Sequence, residues 1–253
     1  MKKKAFLFLA AAAVLLAVAC NKTGLERTTL KTAEEYHTRG LEYLENDDYD
    51  NAIADFTQAI NLNPNDAYAY WRGFAYLFKE DYDRAIADFT QAINLDPNRA
   101  YAYYWRGFAY LFKEDYDQGI ANLTQAIHFD PNDAYAYHLR GKAYLSKSDY
   151  DSAIADYSQA IHLDPNRASA YLRRGDVYSI KGDYDQAIAD YTQAIHLDPN
   201  RAFAYYMRGE AYADKGDYNN AIADHEVALQ LDPNDSLYRD SLRNAQRGKR
   251  GLF

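Results

Sequence analysis

The chain has 253 residues, a formal net charge of −9 at pH 7, 26 tyrosines and a single cysteine. No basic face is evident in the sequence before the extreme C-terminus, and this argues against nucleic acid as a main partner. One cysteine excludes an internal disulfide.

The first predicted element is an export signal. Three lysines, Lys2 to Lys4, precede a 15-residue apolar run from Ala5 to Ala19. This run is shorter than the ~20 residues that span a bilayer, so residues 1–19 are predicted to be a signal peptide. Cleavage would leave Cys20 as the first residue. The stretch LLAVAC resembles a bacterial lipobox, although Ala17 stands where Leu is usual. The alternative is a secreted protein with an incidental cysteine.

Residues 20–32 are predicted to be a lipidated N-terminus and a tether, because they show no apolar periodicity. Lipidation at Cys20 would add two or three acyl chains such as palmitate, and more than one chain gives stable anchoring. The expectation is therefore an exported lipoprotein of the cell envelope. By analogy it belongs to the outer membrane and faces the periplasm or the cell surface.

Residues 33–234 are six variants of one unit, and residues 167–200 show it most clearly. Apolar residues at three-and-four spacing predict one helix from Ala168 to Lys181 and a second from Tyr184 to the stop at Asp198. Asp183 is predicted to cap the second helix, with Gln186 completing a variant of the capping box. A hairpin of this length cannot cover both of its faces, so each unit needs a neighbour.

The repeat period is 34 residues, with one step of 33 between Gly40 and Gly73. This locates a one-residue deletion between Pro64 and Arg72 and predicts a shortened helix start. The residues that define the period are the glycines Gly40, Gly73, Gly107, Gly141, Gly175 and Gly209, the prolines Pro64, Pro97, Pro131, Pro165, Pro199 and Pro233, and the aromatic residues Tyr36, Tyr103, Tyr137, Tyr171 and Tyr205.

These residues resemble tandem tetratricopeptide repeats over roughly four-fifths of the chain. The resemblance implies an all-α fold, a right-handed superhelical solenoid of six helix hairpins. Residues 235–253 are predicted to be a capping helix and a basic tail. Leu237, Tyr238, Leu242 and Ala245 form the apolar stripe of that helix, and disorder is expected from Arg247 to Phe253.

Two polar columns follow the period. An arginine precedes every recurring glycine, and an aspartate recurs in every second helix except where Asn122 replaces it. Their joint recurrence predicts an Arg–Asp pair inside each hairpin. The turn between the helices holds Gly182 and Gly216 in the last two repeats but other residues earlier, which predicts modest strain if φ is positive there.

The sequence favours no catalytic site, metal site or cofactor. His128, His162 and His196 recur at the 34-residue period, and equivalent residues of successive repeats lie roughly 10 Å apart, too far for one ion. His225 is interpreted as a packing residue. Neither a Ser/His nor a Cys/His constellation is present, so an enzyme is not expected.

The family resemblance implies a concave groove lined by the first helices, on which peptides bind. Family members that hold a partner's C-terminal carboxylate place Lys and Asn there, whereas Tyr, Phe, Asp and Glu occupy the matching positions here, so a chaperone-tail receptor is not expected. Phe74 and Phe108 are expected to be exposed, because later repeats place charges at their position. The predicted groove residues are Tyr70, Phe74, Phe78, Tyr104, Phe108, Phe112, His138, Lys142, Asp176, Tyr206 and Glu210.

The resulting hypothesis is a lipid-anchored scaffold of the bacterial cell envelope that binds a protein or peptide partner, in an assembly or pilotin-like role. The alternative hypothesis is a surface-exposed adhesin or a self-associating structural protein of the envelope.

Overall fold

In the computed structural model the described residues are 32–251. The predicted signal peptide, Cys20 and nearly all of the tether lie outside them, as do Leu252 and Phe253.

Residues 32–251 form thirteen α-helices and no strand, which confirms the predicted all-α class. Successive helices pair as hairpins, α1 with α2 through α11 with α12, and each hairpin is one repeat. The helices are α1 Ala33–Glu45, α2 Tyr49–Leu62, α3 Asp66–Phe78, α4 Tyr82–Leu95, α5 Ala100–Phe112, α6 Tyr116–Phe129, α7 Ala134–Ser146, α8 Tyr150–Leu163, α9 Ala168–Ile180, α10 Tyr184–Leu197, α11 Ala202–Asp214, α12 Tyr218–Leu231 and α13 Ser236–Lys249.

The chain divides into two compact units, Met1–Ala102 and Tyr103–Phe253, with the boundary in the first turn of α5. In the first unit, α2 packs against both α1 and α3, and α3 packs against α4. In the second unit, α8, α10 and α12 pack against the first helices of their own repeats. Helices α6, α8 and α10 also pack against the first helix of the next repeat, and α12 packs against α13. Within each unit a hairpin therefore covers one face of its neighbour, as expected of a repeat protein.

Close approach of the two helices in a hairpin depends on the recurring glycine. A Cβ added at Gly175 would lie 2.8 Å from Cε1 of Tyr191, which is fully buried. The aromatic ring of the second helix thus occupies the volume that a side chain at the glycine would need. The adjoining core consists mainly of alanines and Leu172, which lets the helix backbones approach.

The predicted aspartate caps form in five of the six second helices. Asp48, Asp81, Asp115, Asp149 and Asp217 each accept a hydrogen bond from the backbone N–H three residues later. The side-chain cap predicted at Asp183 is absent. There the N–H of Gln186 donates instead to the main-chain carbonyl of Asp183, at 3.1 Å.

The one-residue deletion shortens a loop and leaves the helix intact, so the predicted shortened helix start is wrong. Helix α3 has 13 residues, as do the other first helices. The connection before it holds only residues 63–65, whereas the connection before α5 holds residues 96–99. Asn65 caps α3 by accepting from the N–H of Ala67, so the short loop still supplies the helix start.

The final helix, α13, begins after Asp235, which caps it by accepting a hydrogen bond from the N–H of Leu237. Tyr238 and Ala245 are buried, but Leu237 is 49% exposed and does not belong to the apolar stripe. The helix extends to Lys249, so the predicted disorder is wrong for residues 247–249.

None of the helices in residues 32–251 combines the length and the apolarity needed to cross a bilayer.

An arginine clamp joins the helices of each hairpin and confirms the predicted Arg–Asp pairs. In five repeats the guanidinium donates two hydrogen bonds of 2.6–2.8 Å to a buried aspartate of the second helix. In repeat three, Nε of Arg106 donates to the amide oxygen of Asn122 at 2.6 Å. The five pairs are Arg39–Asp55, Arg72–Asp88, Arg140–Asp156, Arg174–Asp190 and Arg208–Asp224.

Four of these arginines also bind the preceding repeat, a contact that the sequence interpretation missed. Nη1 of Arg174 donates to the hydroxyl of Ser158, which lies on the second helix of repeat four, at 2.9 Å. The equivalent bonds measure 3.0–3.2 Å and join Arg72 to Thr57, Arg140 to Thr124 and Arg208 to Thr192. One side chain therefore sets both the hairpin geometry and the register between neighbouring repeats. The recurring Thr or Ser was the available sequence signal.

Substitution of the clamp is predicted to be costly. Arg174→Lys keeps the charge but loses the planar fork, leaving the buried Asp190 with fewer donors. We expect a loss of about 2 kcal/mol in the free energy of unfolding, measured by urea denaturation. Arg243→Lys is the control, because Arg243 and its partner Asp240 are both more than half exposed, and its effect should stay below about 0.5 kcal/mol. Equal losses in the two variants would contradict a clamp role.

The turn between paired helices requires a left-handed residue in every repeat. Gly182 and Gly216 have φ of 81° and 80°, and the corresponding Asp47, Glu80, Glu114 and Ser148 have φ of 58° to 62°. The expected positive φ is confirmed. Residues with a Cβ are strained in this region, whereas glycine is not.

A matched exchange tests this strain. Ser148→Gly should raise the free energy of unfolding by about 0.5–1 kcal/mol, and Gly182→Ser should lower it by a similar amount. Chemical denaturation of the two variants beside the parent protein measures both changes. Destabilisation by Ser148→Gly would show that the serine side chain makes a contribution larger than the backbone strain.

Candidate partner-binding surface

The predicted groove residues come from equivalent places in the first helices. Relative to the recurring glycine, position −3 holds Tyr70, Tyr104, His138 and Tyr206, and position +1 holds Phe74, Phe108, Lys142, Asp176 and Glu210. Phe78 and Phe112 lie four residues after Phe74 and Phe108, and residues at this spacing share a helix face.

In the first unit the aromatic residues of α3 form a packed cluster. Phe74 is 1% exposed and contacts Trp71 edge-on at 5.7 Å between ring centroids, and Phe78 at 4.8 Å. Tyr70 is also buried, and Phe78 stacks on Tyr49 at 5.5 Å. The expectation that Phe74 is exposed is therefore wrong, because neighbouring rings cover it. Phe74→Ser would leave a cavity and destabilise the protein.

In the second unit the aromatic residues of α5 become more exposed toward the helix end. Tyr104 is buried, Phe108 is half-buried and Phe112 is 52% exposed. The ring of Phe108 lies 5.4 Å from that of Trp105 and 4.8 Å from that of Phe112. Among the predicted aromatic groove residues, Phe112 has the most exposed side chain.

The acids at position +1 are paired with polar residues of the second helix. Asp176 accepts a hydrogen bond from the Tyr191 hydroxyl at 3.1 Å, and Oε1 of Glu210 lies 3.2 Å from Nε2 of His225. The Asp176 side chain is only 12% exposed and also binds Arg173 at 2.9 Å. Charge at this position therefore did not indicate exposure, which is why the inference about Phe74 failed.

The pKa values of the two acids are shifted in opposite directions. Burial raises the pKa of Asp176 despite its contacts with Arg173 and Tyr191. The contact with His225 lowers the pKa of Glu210. A sequence signal for the pairing existed. Tyr191 and His225 are polar members of a column that holds Phe56, Phe89 and Leu123 in the first three repeats.

Repeat four differs from its two successors. Its position +1 holds Lys142, which is exposed and forms no ion pair with any of residues 32–251. Tyr157, the equivalent of Tyr191, is 0% exposed, and its hydroxyl has no hydrogen-bond partner within the described chain. Nδ1 of His138 is likewise buried without a partner there, and its ring lies 5.4 Å from that of Tyr157.

The described residues contain no group of three or more His, Cys, Asp or Glu residues able to hold a metal ion. His128, His162 and His196 are exposed, in agreement with their interpretation as surface residues. His225 is fully buried beneath Gly209, as expected of a packing residue.

The ring of Tyr206 lies 5.2 Å from the ring of Tyr238, so α13 covers part of the predicted surface in repeat six.

Family models match most of the chain. A model described as the ETO1 C-terminal domain covers residues 7–179, a TPR repeat model covers residues 175–216, and a tetratricopeptide repeat model covers residues 202–235. The chain belongs to the tetratricopeptide repeat family. No curated protein matches its sequence at a significant level.

Solved structures of other tetratricopeptide repeat proteins are similar to this chain. A MamA protein is 28% identical with a TM-score of 0.63, over 66% of this chain and 92% of MamA. YrrB is 23% identical with a TM-score of 0.66, over 74% of this chain and 97% of YrrB. PilF of Pseudomonas aeruginosa is 16% identical with a TM-score of 0.71, over 84% and 97% respectively. At the last two identities the likeness concerns the fold alone.

A pH prediction follows from His138. Burial, followed by the charges of Arg167, Arg173 and Lys142, lowers the pKa of His138 from 6.5 to about 4. The unfolded chain therefore binds this proton at a higher pH than the folded protein does, and stability falls as the pH drops from 6.5 toward 4. Between pH 7.5 and pH 5 we expect a loss of about 2 kcal/mol from this residue.

The measurement is urea denaturation of the parent protein and of His138→Leu across this pH range. Leucine is suitable because Leu172 occupies the equivalent position in repeat five and is buried. The variant should lose less stability on acidification than the parent protein. Identical pH dependence would show that His138 is solvated well enough to keep its ordinary pKa.

Proposed function

We propose that this protein is a non-enzymatic scaffold that binds a protein or peptide partner through the first helices of its repeats. The main support for the proposal is that some positions of the repeat are constant whereas position +1 varies. The glycines and the clamping arginines are identical in all six repeats, whereas position +1 changes through Leu41, Phe74, Phe108, Lys142, Asp176 and Glu210. A constant frame thus carries side chains of different chemistry at one position, where Lys142 is exposed and Leu41, Phe108 and Glu210 are partly exposed.

The chemistry of this surface suits a polypeptide partner. The half-exposed Phe112 provides apolar area, and Lys142 provides an exposed charge one repeat further along. Exposed aromatic residues near polar groups are typical of protein interaction sites. Peptide binding by a neighbour supports the same conclusion, since YrrB is described as a TPR protein with an unusual peptide-binding site. Tetratricopeptide repeat scaffolds are generally non-catalytic, and this supports a non-enzymatic role.

Capture of the partner tests this function. The purified mature chain would be cross-linked to proteins of the cell envelope, and bound proteins would be identified by mass spectrometry. Phe112→Ser should reduce capture several-fold without lowering the melting temperature, because the side chain is about half exposed. Leu62→Ser is the matched control, since Leu62 is 54% exposed at the end of a second helix. Equal capture by both variants would place the binding surface elsewhere.

We further propose that the scaffold is anchored in the cell envelope through Cys20, with an assembly or pilotin-like role. The support is the sequence order of lysines, a short apolar run and the chain's only cysteine. Substitution of Cys20→Ser should release the exported protein into the soluble fraction, because the acyl chains provide its membrane affinity. Fractionation and immunoblotting measure this release. Firm membrane retention of the variant would contradict the anchor.

A further inference from the structure

Repeats five and six bury a polar side chain against a carboxylate of their own first helix. Tyr191 donates its hydroxyl hydrogen to Asp176, and His225 lies 3.2 Å from Glu210. Both second-helix residues are fully buried. In repeat five the carboxylate at position +1 accepts the hydrogen bond of the buried hydroxyl, which water cannot reach. In repeat six the carboxylate lies beside the buried imidazole, whose nitrogens form no hydrogen bond within residues 32–251. Both repeats therefore place a carboxylate next to a buried polar ring.

Repeat four has the buried donor but lacks the acid. Tyr157 is as deeply buried as Tyr191, its hydroxyl has no partner in residues 32–251, and position +1 holds Lys142. A buried hydroxyl without a partner is unfavourable. Nδ1 of His138, four residues before Lys142, is in the same state. The Tyr157 hydroxyl and Nδ1 of His138 thus belong to two rings that meet edge-on, with 5.4 Å between the ring centroids.

The surrounding charges favour an anion at this place. Lys142, Arg167 and Arg173 all act on His138 electrostatically. Arg173 binds Asp176, and Arg167 binds Asp164 at 3.1 Å while its guanidinium lies over the ring of Tyr135 at 3.5 Å. Lys142 alone among the three has no ion pair with a described residue. The carboxylates of Asp176 and Asp156 also act electrostatically on Tyr157, and each of them is paired with an arginine. The charge of Lys142 is therefore left without an ion pair among residues 32–251.

We propose that repeat four binds a carboxylate side chain of the partner peptide, between the Tyr157 hydroxyl and the Lys142 ammonium group. The partner's carboxylate would occupy the place that Asp176 and Glu210 occupy in the following repeats. This inference rests on the proposed scaffold function and names one chemical feature of the partner. The partner residue is predicted to be an internal glutamate or aspartate, because the chain's own residues at this position in repeats five and six are Asp176 and Glu210.

The binding experiment uses two pools of eight-residue peptides, acetylated and amidated at their ends, with random outer positions and either Glu or Gln at the centre. The mature protein should retain the Glu pool about tenfold more strongly than the Gln pool. Lys142→Glu should abolish this preference, because its own carboxylate would fill the place. A third pool, with central Gln and a free C-terminus, tests the chain end as the source of the carboxylate.

Each outcome separates this inference from the scaffold function. Retention of both capped pools without preference would overturn the carboxylate site and leave the scaffold function standing. Preference for the free C-terminus over the Glu pool would overturn the side-chain assignment. If the protein retains no peptide from any pool and also captures no envelope protein, the scaffold function itself fails, and the inference fails with it.

Thermal unfolding of the free protein gives an independent test. Tyr157→Phe removes a hydroxyl that has no partner, so the melting temperature should stay the same or rise. Tyr191→Phe removes a hydroxyl that binds Asp176, so the melting temperature should fall. In Lys142→Glu the new acid should pair with Tyr157 and raise the melting temperature. An equal fall in Tyr157→Phe and Tyr191→Phe would show that Tyr157 already has a partner and would overturn the proposal.

Discussion

The arginine before each recurring glycine is the constraint on which the repeat architecture depends. Apolar packing between alanines and aromatic rings is favourable in many registers, because dispersion contacts have little directionality. A guanidinium fork that must satisfy a buried carboxylate and a hydroxyl of the preceding repeat has far fewer solutions. The clamp therefore specifies how each hairpin closes and, within each unit, how a hairpin meets the repeat before it, and the apolar core supplies most of the stability.

Much of this fold could be predicted from the sequence because its determinants are local or periodic. Helix spacing, the aspartate caps and the left-handed turns each depend on a few adjacent residues, and the Arg–Asp pairs were visible as two columns with one period. The deletion lies in the predicted interval, but its effect was assigned to the helix start because a 33-residue step does not show whether the loop or the helix is shorter. The structure shows that helix length is kept and that Asn65 lets a three-residue loop replace a four-residue loop.

The candidate surface was harder to predict because burial depends on neighbours that one column does not show. Phe74 was expected to be exposed since Lys142, Asp176 and Glu210 share its position. Two of these charges have a polar partner on the second helix, so an acid there accompanies a partly buried site. The residues one and sixteen positions after each recurring glycine are both apolar in the first three repeats and both polar in the last three. Comparing these two columns together would have indicated that their side chains contact each other.

Two residues of repeat three lower its stability, and this affects how the chain resists a pulling force. Asn122 replaces the clamp's aspartate, and Gly119 occupies a second-helix position where the other repeats have alanine, a change that lowers helix stability by about 1 kcal/mol. In a linear array, cooperativity passes only through adjacent units. Under a pulling force applied at its ends, such a chain would yield first at this hairpin. The force–extension curve would then show a first rupture from repeat three, followed by separate ruptures of the two repeats before it and the three repeats after it.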